Sequence, residues 1–188
     1  MTPQFYIAAM SEKPEGGIYR YRMRENAVPE QVGFTPMPGV NYLAFSPDRK
    51  FMFSTCIIDG QGGGIGRALV SELRRALPAL RIVAVGTNVQ ATAAMLRAGA
   101  DAGATGENAA MYNAARASYI LGPLGIVMAN AMFGEISPRI AAAVSESAAH
   151  KVLIPVSKCH ASIAGVTERP LAQYIEEAAA IVKRELEG

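Results

Sequence analysis

The chain has 188 residues, 51% of them apolar, and a formal charge of only +2 from interspersed acids and bases. That length and composition suit one medium domain, or one domain with a small appendage, and exclude fibrous and disordered classes. The charge leaves no basic footprint for nucleic acid, and two cysteines, Cys56 and Cys159, are too few for a disulfide framework.

The first residues, Met1-Thr2-Pro3-Gln4-Phe5-Tyr6, have neither the basic start nor the apolar core of a signal peptide. The most apolar run, residues 120–133, is broken by Gly122, Pro123, Gly125 and Asn130 and falls short of the roughly 20 residues of a membrane helix. A cytoplasmic protein without membrane or nucleic-acid partners is expected, with free thiols.

Residues 1–50 hold six of the eleven prolines and read as short strands between turn signals. Residues 5–8 form one strand, 17–23 alternate with period two, and 31–35 form a third, ended by Pro36 and Pro38. Tyr42-Leu43-Ala44-Phe45 and Lys50-Phe51-Met52-Phe53, joined by Ser46-Pro47-Asp48-Arg49, read as a hairpin. Phe5-Tyr6-Ile7, Gly17-Ile18-Tyr19-Arg20-Tyr21 and Asn41-Tyr42-Leu43-Ala44-Phe45-Ser46-Pro47-Asp48 resemble the first blade of a propeller lactonase of the 6-phosphogluconolactonase type. A propeller closes only with several blades and no repeat follows, so the resemblance carries no lactonase activity. Residues 1–50 are read as a β-rich appendage, possible as a fused segment, and 51–188 as the main domain.

From residue 51 the pattern switches to alternating strands and helices. The first strand spans about 51–58 and is followed by Asp59-Gly60-Gln61-Gly62-Gly63-Gly64-Ile65-Gly66 and a helix over 65–76, stopped by Pro78. Residues 81–85 are a continuous apolar strand, and Thr87 or Asn88 caps a helix reaching Ala98. A short third strand falls within 99–104, and Thr105-Gly106-Glu107-Asn108 opens a helix to Ala117. Strand four is 118–121, followed by Gly122-Pro123-Leu124-Gly125 and a helical stretch to about Ala131. Ser137 caps a helix with Pro138 at its first position, running to about Ala149 with His150 closing it. Strand five is 151–156, ending in Ser157-Lys158-Cys159-His160. A link over 161–166, with some strand character, precedes a final helix from Pro170, whose Leu171, Tyr174, Ile175, Ala178 and Val182 share one face. The expected fold is α/β: a Rossmann-like, doubly wound, mostly parallel five-stranded sheet with helices on both faces, plus the short N-terminal β appendage.

The glycine run is the chemical focus. Five glycines in seven residues exceed what a strand–helix turn needs, and a helix start after a strand offers unpaired N–H groups to an anion. The expected ligand is a small anion, a nucleotide or dinucleotide or another phosphorylated metabolite, held by Asp59, Gly60, Gln61, Gly62, Gly63, Gly64, Ile65 and Gly66. Thr87, Asn88, Thr105, Asn108, Gly122, Pro123, Gly125 and Lys158 are the further candidates, because loops at the carboxyl ends of the strands converge there. Asp59 has two readings of equal weight, a ribose or metal-water contact and a carboxylate that fixes the loop. The weaker catalytic candidates are Glu107, Lys158 and Cys159, the last because a neighbouring lysine or histidine lowers a thiol pKa. No metal ligand set is expected.

The spacing Gly60, Gly64, Gly66 is similar to that of short-chain dehydrogenases. The tyrosine and lysine four apart that those enzymes use are absent, since Tyr112 is followed at that distance by Arg116. The position after strand two, where an acid would bind an adenosine ribose, holds Gly86-Thr87-Asn88. Residues 56–188 also resemble a family of small bacterial Rossmann-like proteins of unknown function. That resemblance rests on the glycine run, Gly86-Thr87-Asn88, Ala98-Gly99-Ala100-Asp101, Gly103-Ala104-Thr105-Gly106-Glu107-Asn108, Gly122-Pro123-Leu124-Gly125-Ile126 and Ile154-Pro155-Val156-Ser157-Lys158-Cys159. It implies the fold and carries no activity. Two alternatives to a binding domain stand beside it. One is an oxidoreductase or transferase of NAD(P) type using Glu107, Lys158 or Cys159. The other is a non-catalytic assembly or regulatory module, which predicts an exposed apolar face on the final helix and a homo-oligomer.

Overall fold

The computed structural model describes residues 4–9, 17–23, 29–36, 55–156 and 163–187. The expected hairpin over 42–53 and the segment Ser157-Lys158-Cys159-His160 lie outside them. Contacts divide the chain into two compact units, Met1–Leu43 and Ala44–Gly188.

The first unit holds an antiparallel sheet of three strands in the order β1-β2-β3, with β1 at Gln4–Ala9, β2 at Gly17–Met23 and β3 at Pro29–Pro36. Its period-two pattern is used as expected from Tyr19 to Arg22: Tyr19 and Tyr21 are half-buried while Arg20 and Arg22 are exposed. Tyr19 and Phe34 face each other across β2 and β3 with ring centroids 4.6 Å apart.

In the second unit, β4 (Thr55–Asp59), β5 (Ile82–Gly86), β6 (Ala102–Thr105), β7 (Tyr119–Pro123) and β8 (His150–Ile154) form a sheet in the order β6-β5-β4-β7-β8. Every pairing in it is parallel. β4, β5 and β7 are buried along their whole length, which explains their unbroken apolar runs. The helices are α1 (Gly64–Ala76), α2 (Val89–Arg97), α3 (Glu107–Ala114), α4 (Pro138–Glu146) and α5 (Leu171–Glu187).

Two cores sandwich the sheet. Ile57, Ile82, Ala84 and Leu121 pack with Leu69, Leu73, Met95, Tyr174, Ile175 and Val182 of α1, α2 and α5. Cys56, Ile58, Val85 and Ile120 pack on the other side with Ala110, Ala114, Ile140 and Val144 of α3 and α4. The domain is therefore α/β and doubly wound. Strand order reverses between β4 and β7, and on such sheets ligands lie outside the carboxyl ends of the strands at the reversal.

Four local expectations change. The helical stretch after β7 is a single 3-10 turn, Leu124–Val127, because Asn130, Met132, Phe133 and Gly134 take left-handed backbone (φ 64, 57, 58 and 89°) that a right-handed helix excludes. His150 opens β8 rather than closing a helix, since α4 ends at Glu146 and Ser147 turns the chain into the strand. Residues 163–166 form a turn, not a strand, with Val166 N–H donating to the Ile163 carbonyl. On α5, Tyr174, Ile175, Ala178 and Val182 are buried but Leu171 is 43% exposed, because the first turn projects beyond the core. The final helix thus covers the sheet and lacks the exposed apolar face that the assembly reading predicts.

Candidate functional site

β4 is the central strand, and its last residue, Asp59, is a buried carboxylate at the head of α1. Its Oδ1 accepts from Gly60 N–H at 2.8 Å and its Oδ2 from Gly66 N–H at 2.6 Å. Gly66 is the third residue of α1, so Asp59 does the work of a capping side chain from outside the helix, where Gly63 has none to offer. Burial raises the Asp59 pKa above its ordinary value, while the N–H groups of Gly66, Gly60 and Ile65 act in the opposite sense. Of its two readings, the structure supports the carboxylate that fixes the loop.

Three of the five loop glycines have internal reasons. A Cβ on Gly60 would stand 2.7 Å from Glu135 Oε2, Met132 Sδ and Thr87 Oγ1. At Gly63 it would stand 2.7 Å from Ala91 Cα of α2, on a residue with φ of +66°. At Gly66 it would stand 2.5 Å from Met95 Sδ and 2.8 Å from Asp59 Cβ. Gly62 and Gly64 are different. Neither takes left-handed backbone and neither Cβ would meet an atom within 4 Å. Their N–H groups have no partner among the described residues, whereas those of Gly60, Gln61, Gly63, Gly66 and Arg67 all do. Both glycines line an open cavity of about 590 Å³ between α1 and α2, together with Arg67, Ala68, Ser71, Ala94, Arg97 and Ala98.

On its other flank the loop meets a residue that the sequence reading passed over. The strap from 128 to 136 folds back across the ends of β4 and β5, and Glu135 Oε2 accepts from Gln61 N–H at 2.8 Å and from the Asn88 amide at 3.0 Å. The same oxygen accepts from the Thr87 hydroxyl. Burial opposes ionisation of Glu135, but the Thr87, Gln61 and Asn88 donors outweigh it and hold the carboxyl below its ordinary range. Asn88 also caps α2 by accepting from Ala91 N–H at 2.9 Å, and it donates to the Gln61 carbonyl at 3.0 Å. Thr87, Asn88 and the glycine loop are therefore brought together, as expected, and Glu135 is what joins them.

The remaining candidates make contacts of their own. The Thr105 hydroxyl is 2.7 Å from that of Thr92, which ties β6 to α2, and Asn108 is exposed in the first turn of α3. Gly122, Pro123 and Gly125 are buried, and a Cβ on Gly122 would collide with the Ile58 carbonyl, so close approach of β7 to β4 accounts for that glycine. Glu107 accepts from Ser137 Oγ and, at 3.0 Å, from Arg139, linking the starts of α3 and α4. These are the contacts of an acid placed at a helix start. Among the described cysteines, Cys56 is buried and its thiol is pushed up to about 12 by burial, which leaves it unreactive. Lys158 and Cys159 lie outside the described residues. Among the described residues no three acids, histidines or cysteines converge to hold a metal ion, and no helix is long and apolar enough to cross a membrane.

A family model described as Domain of unknown function (DUF3842) matches residues 54–187. The chain belongs to that family. The DUF3842 match starts one residue before β4 and covers the whole α/β domain, while β1, β2 and β3 lie outside it. No curated protein matches the chain. Family membership thus agrees with the resemblance drawn from the glycine run, and the chemistry of the DUF3842 domain has to be argued from its own residues.

Proposed function

We propose that the DUF3842 domain of this chain binds a nucleotide or another phosphorylated metabolite at the Gly60–Gly66 loop. The observation that carries this reading is the pair Gly62 and Gly64. Packing explains the other three glycines and leaves these two without an internal role, and their N–H groups, which have no partner among the described residues, lie on the same cavity as Arg67 and Arg97. An anion seated there would receive peptide N–H bonds and the positive end of α1, with two guanidinium groups within the same cavity. Among the described residues no acidic side chain lines that cavity. Its volume is in the range of small-molecule sites rather than that of a single ion.

The position at the carboxyl end of the central strand, beside the reversal of strand order, supports the same reading. The test is a titration of wild type and Gly64→Val with inorganic pyrophosphate and nucleoside diphosphates, followed by thermal shift. Wild type is expected to gain stability with ligand and Gly64→Val to melt at the same temperature as wild type but gain none. Equal ligand shifts in both proteins, or none in wild type, defeat the reading.

A further inference from the structure

Glu135 has an oxygen to spare. Its Oε2 takes three donors, from Gln61, Thr87 and Asn88, whereas Oε1 has no hydrogen-bond partner among the described residues. The side chain is half-exposed, and a carboxylate offers about four lone-pair sites. Its position is imposed from both ends. Ile136, next along the strap, is fully buried, and Asn130 N–H donates to the Ile136 carbonyl at 2.7 Å. Three non-glycine residues, Asn130, Met132 and Phe133, accept left-handed backbone to bring Glu135 to the loop.

We propose that Glu135 is a ligand-binding residue of the glycine-loop site, its Oε1 accepting from the hydroxyl groups of a ribosyl or similar polyol phosphate. The inference rests on the phosphate reading and names the ligand class within it. Gln61, whose N–H holds Glu135 Oε2, is adjacent in the chain to Gly62, whose own N–H has no partner among the described residues. A ligand spanning both carries its hydroxyls only a few bonds from its phosphate. Charge decides what meets Oε1. A second phosphate would face a carboxylate and be repelled. A divalent cation would want several hard oxygen ligands, and among the described residues no three acids, histidines or cysteines converge. A neutral hydroxyl donor fits. The fold thereby supplies, from the strap after β7, the carboxylate that the segment after β5 lacks.

The full chain is titrated calorimetrically with inorganic pyrophosphate, with the four common nucleoside 5′-diphosphates, and with their 2′,3′-dideoxy counterparts. At least one nucleotide is expected to bind, with its dideoxy form weaker by about tenfold to a hundredfold, as loss of hydrogen bonds to a charged acceptor implies. In Glu135→Gln, whose side-chain carbonyl can still accept from Gln61, that ratio is expected to fall towards one, while pyrophosphate, relieved of the carboxylate's repulsion, binds at least as tightly as to wild type. Equal affinity for ribo and dideoxy forms in wild type overturns the inference and leaves the phosphate reading standing. A ratio of ribo to dideoxy affinity that persists in Glu135→Gln also overturns it, since another group would then receive the hydroxyls. Failure of every probe, pyrophosphate included, overturns both. The comparison of ribo and dideoxy ligands on wild type stands even if the variant does not fold.

Discussion

Gly63 and Gly64 are neighbours with opposite fates under substitution. At Gly63 an alanine would strain a left-handed backbone by about 1–2 kcal/mol and also strike Ala91 at 2.7 Å, so Gly63→Ala is expected to lower the melting temperature by several degrees. Gly62→Ala and Gly64→Ala meet open space, and each is expected to change stability by less than about 0.5 kcal/mol in denaturant titrations. Asp59→Ala removes the acceptor of two buried N–H groups, for which a loss of about 2–4 kcal/mol is expected. The same scale explains what reading the chain in order could and could not find. The glycine run, the Asn88 cap and the Ser137-Pro138 helix start each announce themselves within seven residues. Glu135 meets Gln61 across 74 positions of sequence, in the link between the stretch that reads as helix and the Ser137-Pro138 helix start, where no motif marks it. Its only trace is Gly134, a residue suited to the left-handed turn that delivers it.

At the scale of elements, the strap has a pH dependence with a definite sign. The folded pKa of Glu135 lies below its ordinary value of 4.5, so docking of the strap contributes stability that is complete above that value and is lost as pH falls through the lowered folded pKa. The bonds to Gln61 and Asn88 are expected to hold from neutral to mildly acid solution. Below about pH 4.5 the Gln61 amide is expected to exchange hydrogen faster, relative to its intrinsic rate, than the amides of α1. Unchanged relative protection of Gln61 down to pH 3 would remove the carboxylate from this role. A second element-level joint sits at the end of α1. Arg74 donates to the carbonyls of Pro78, Leu80 and Gly99 and to Asp101 at 2.7–3.2 Å, pinning the helix end to the approach of β6. Arg74→Ala leaves those acceptors short of donors and is expected to cost about 1–3 kcal/mol by urea unfolding. The helices were legible because each has one buried face, and the central strands because both of theirs are buried. The stretch after β7 was not, because three non-glycine residues there adopt backbone that their types disfavour.

At the scale of the whole molecule, the α/β domain has its own two cores, and the family match begins where its first strand begins. A chain of residues 44–188 is therefore expected to unfold in a single transition at the midpoint of the corresponding transition in the full chain. A shift of more than a few degrees would mean that residues 1–43 contribute to the domain. The layer order was readable from the alternation of apolar strands with amphipathic helices, since parallel strands buried on both faces leave few other arrangements. Which residues close the site was not, because the strap and the glycine loop meet only once the sheet has been assembled.

The bonds around Asp59 have a consequence for the speed of binding. Both carboxylate oxygens are already engaged with the loop, so the turn is set before any ligand arrives. A preset turn gives up little chain freedom at the moment of capture, and association should follow one bimolecular step. In stopped-flow mixing, the observed rate should climb in proportion to ligand concentration without levelling off.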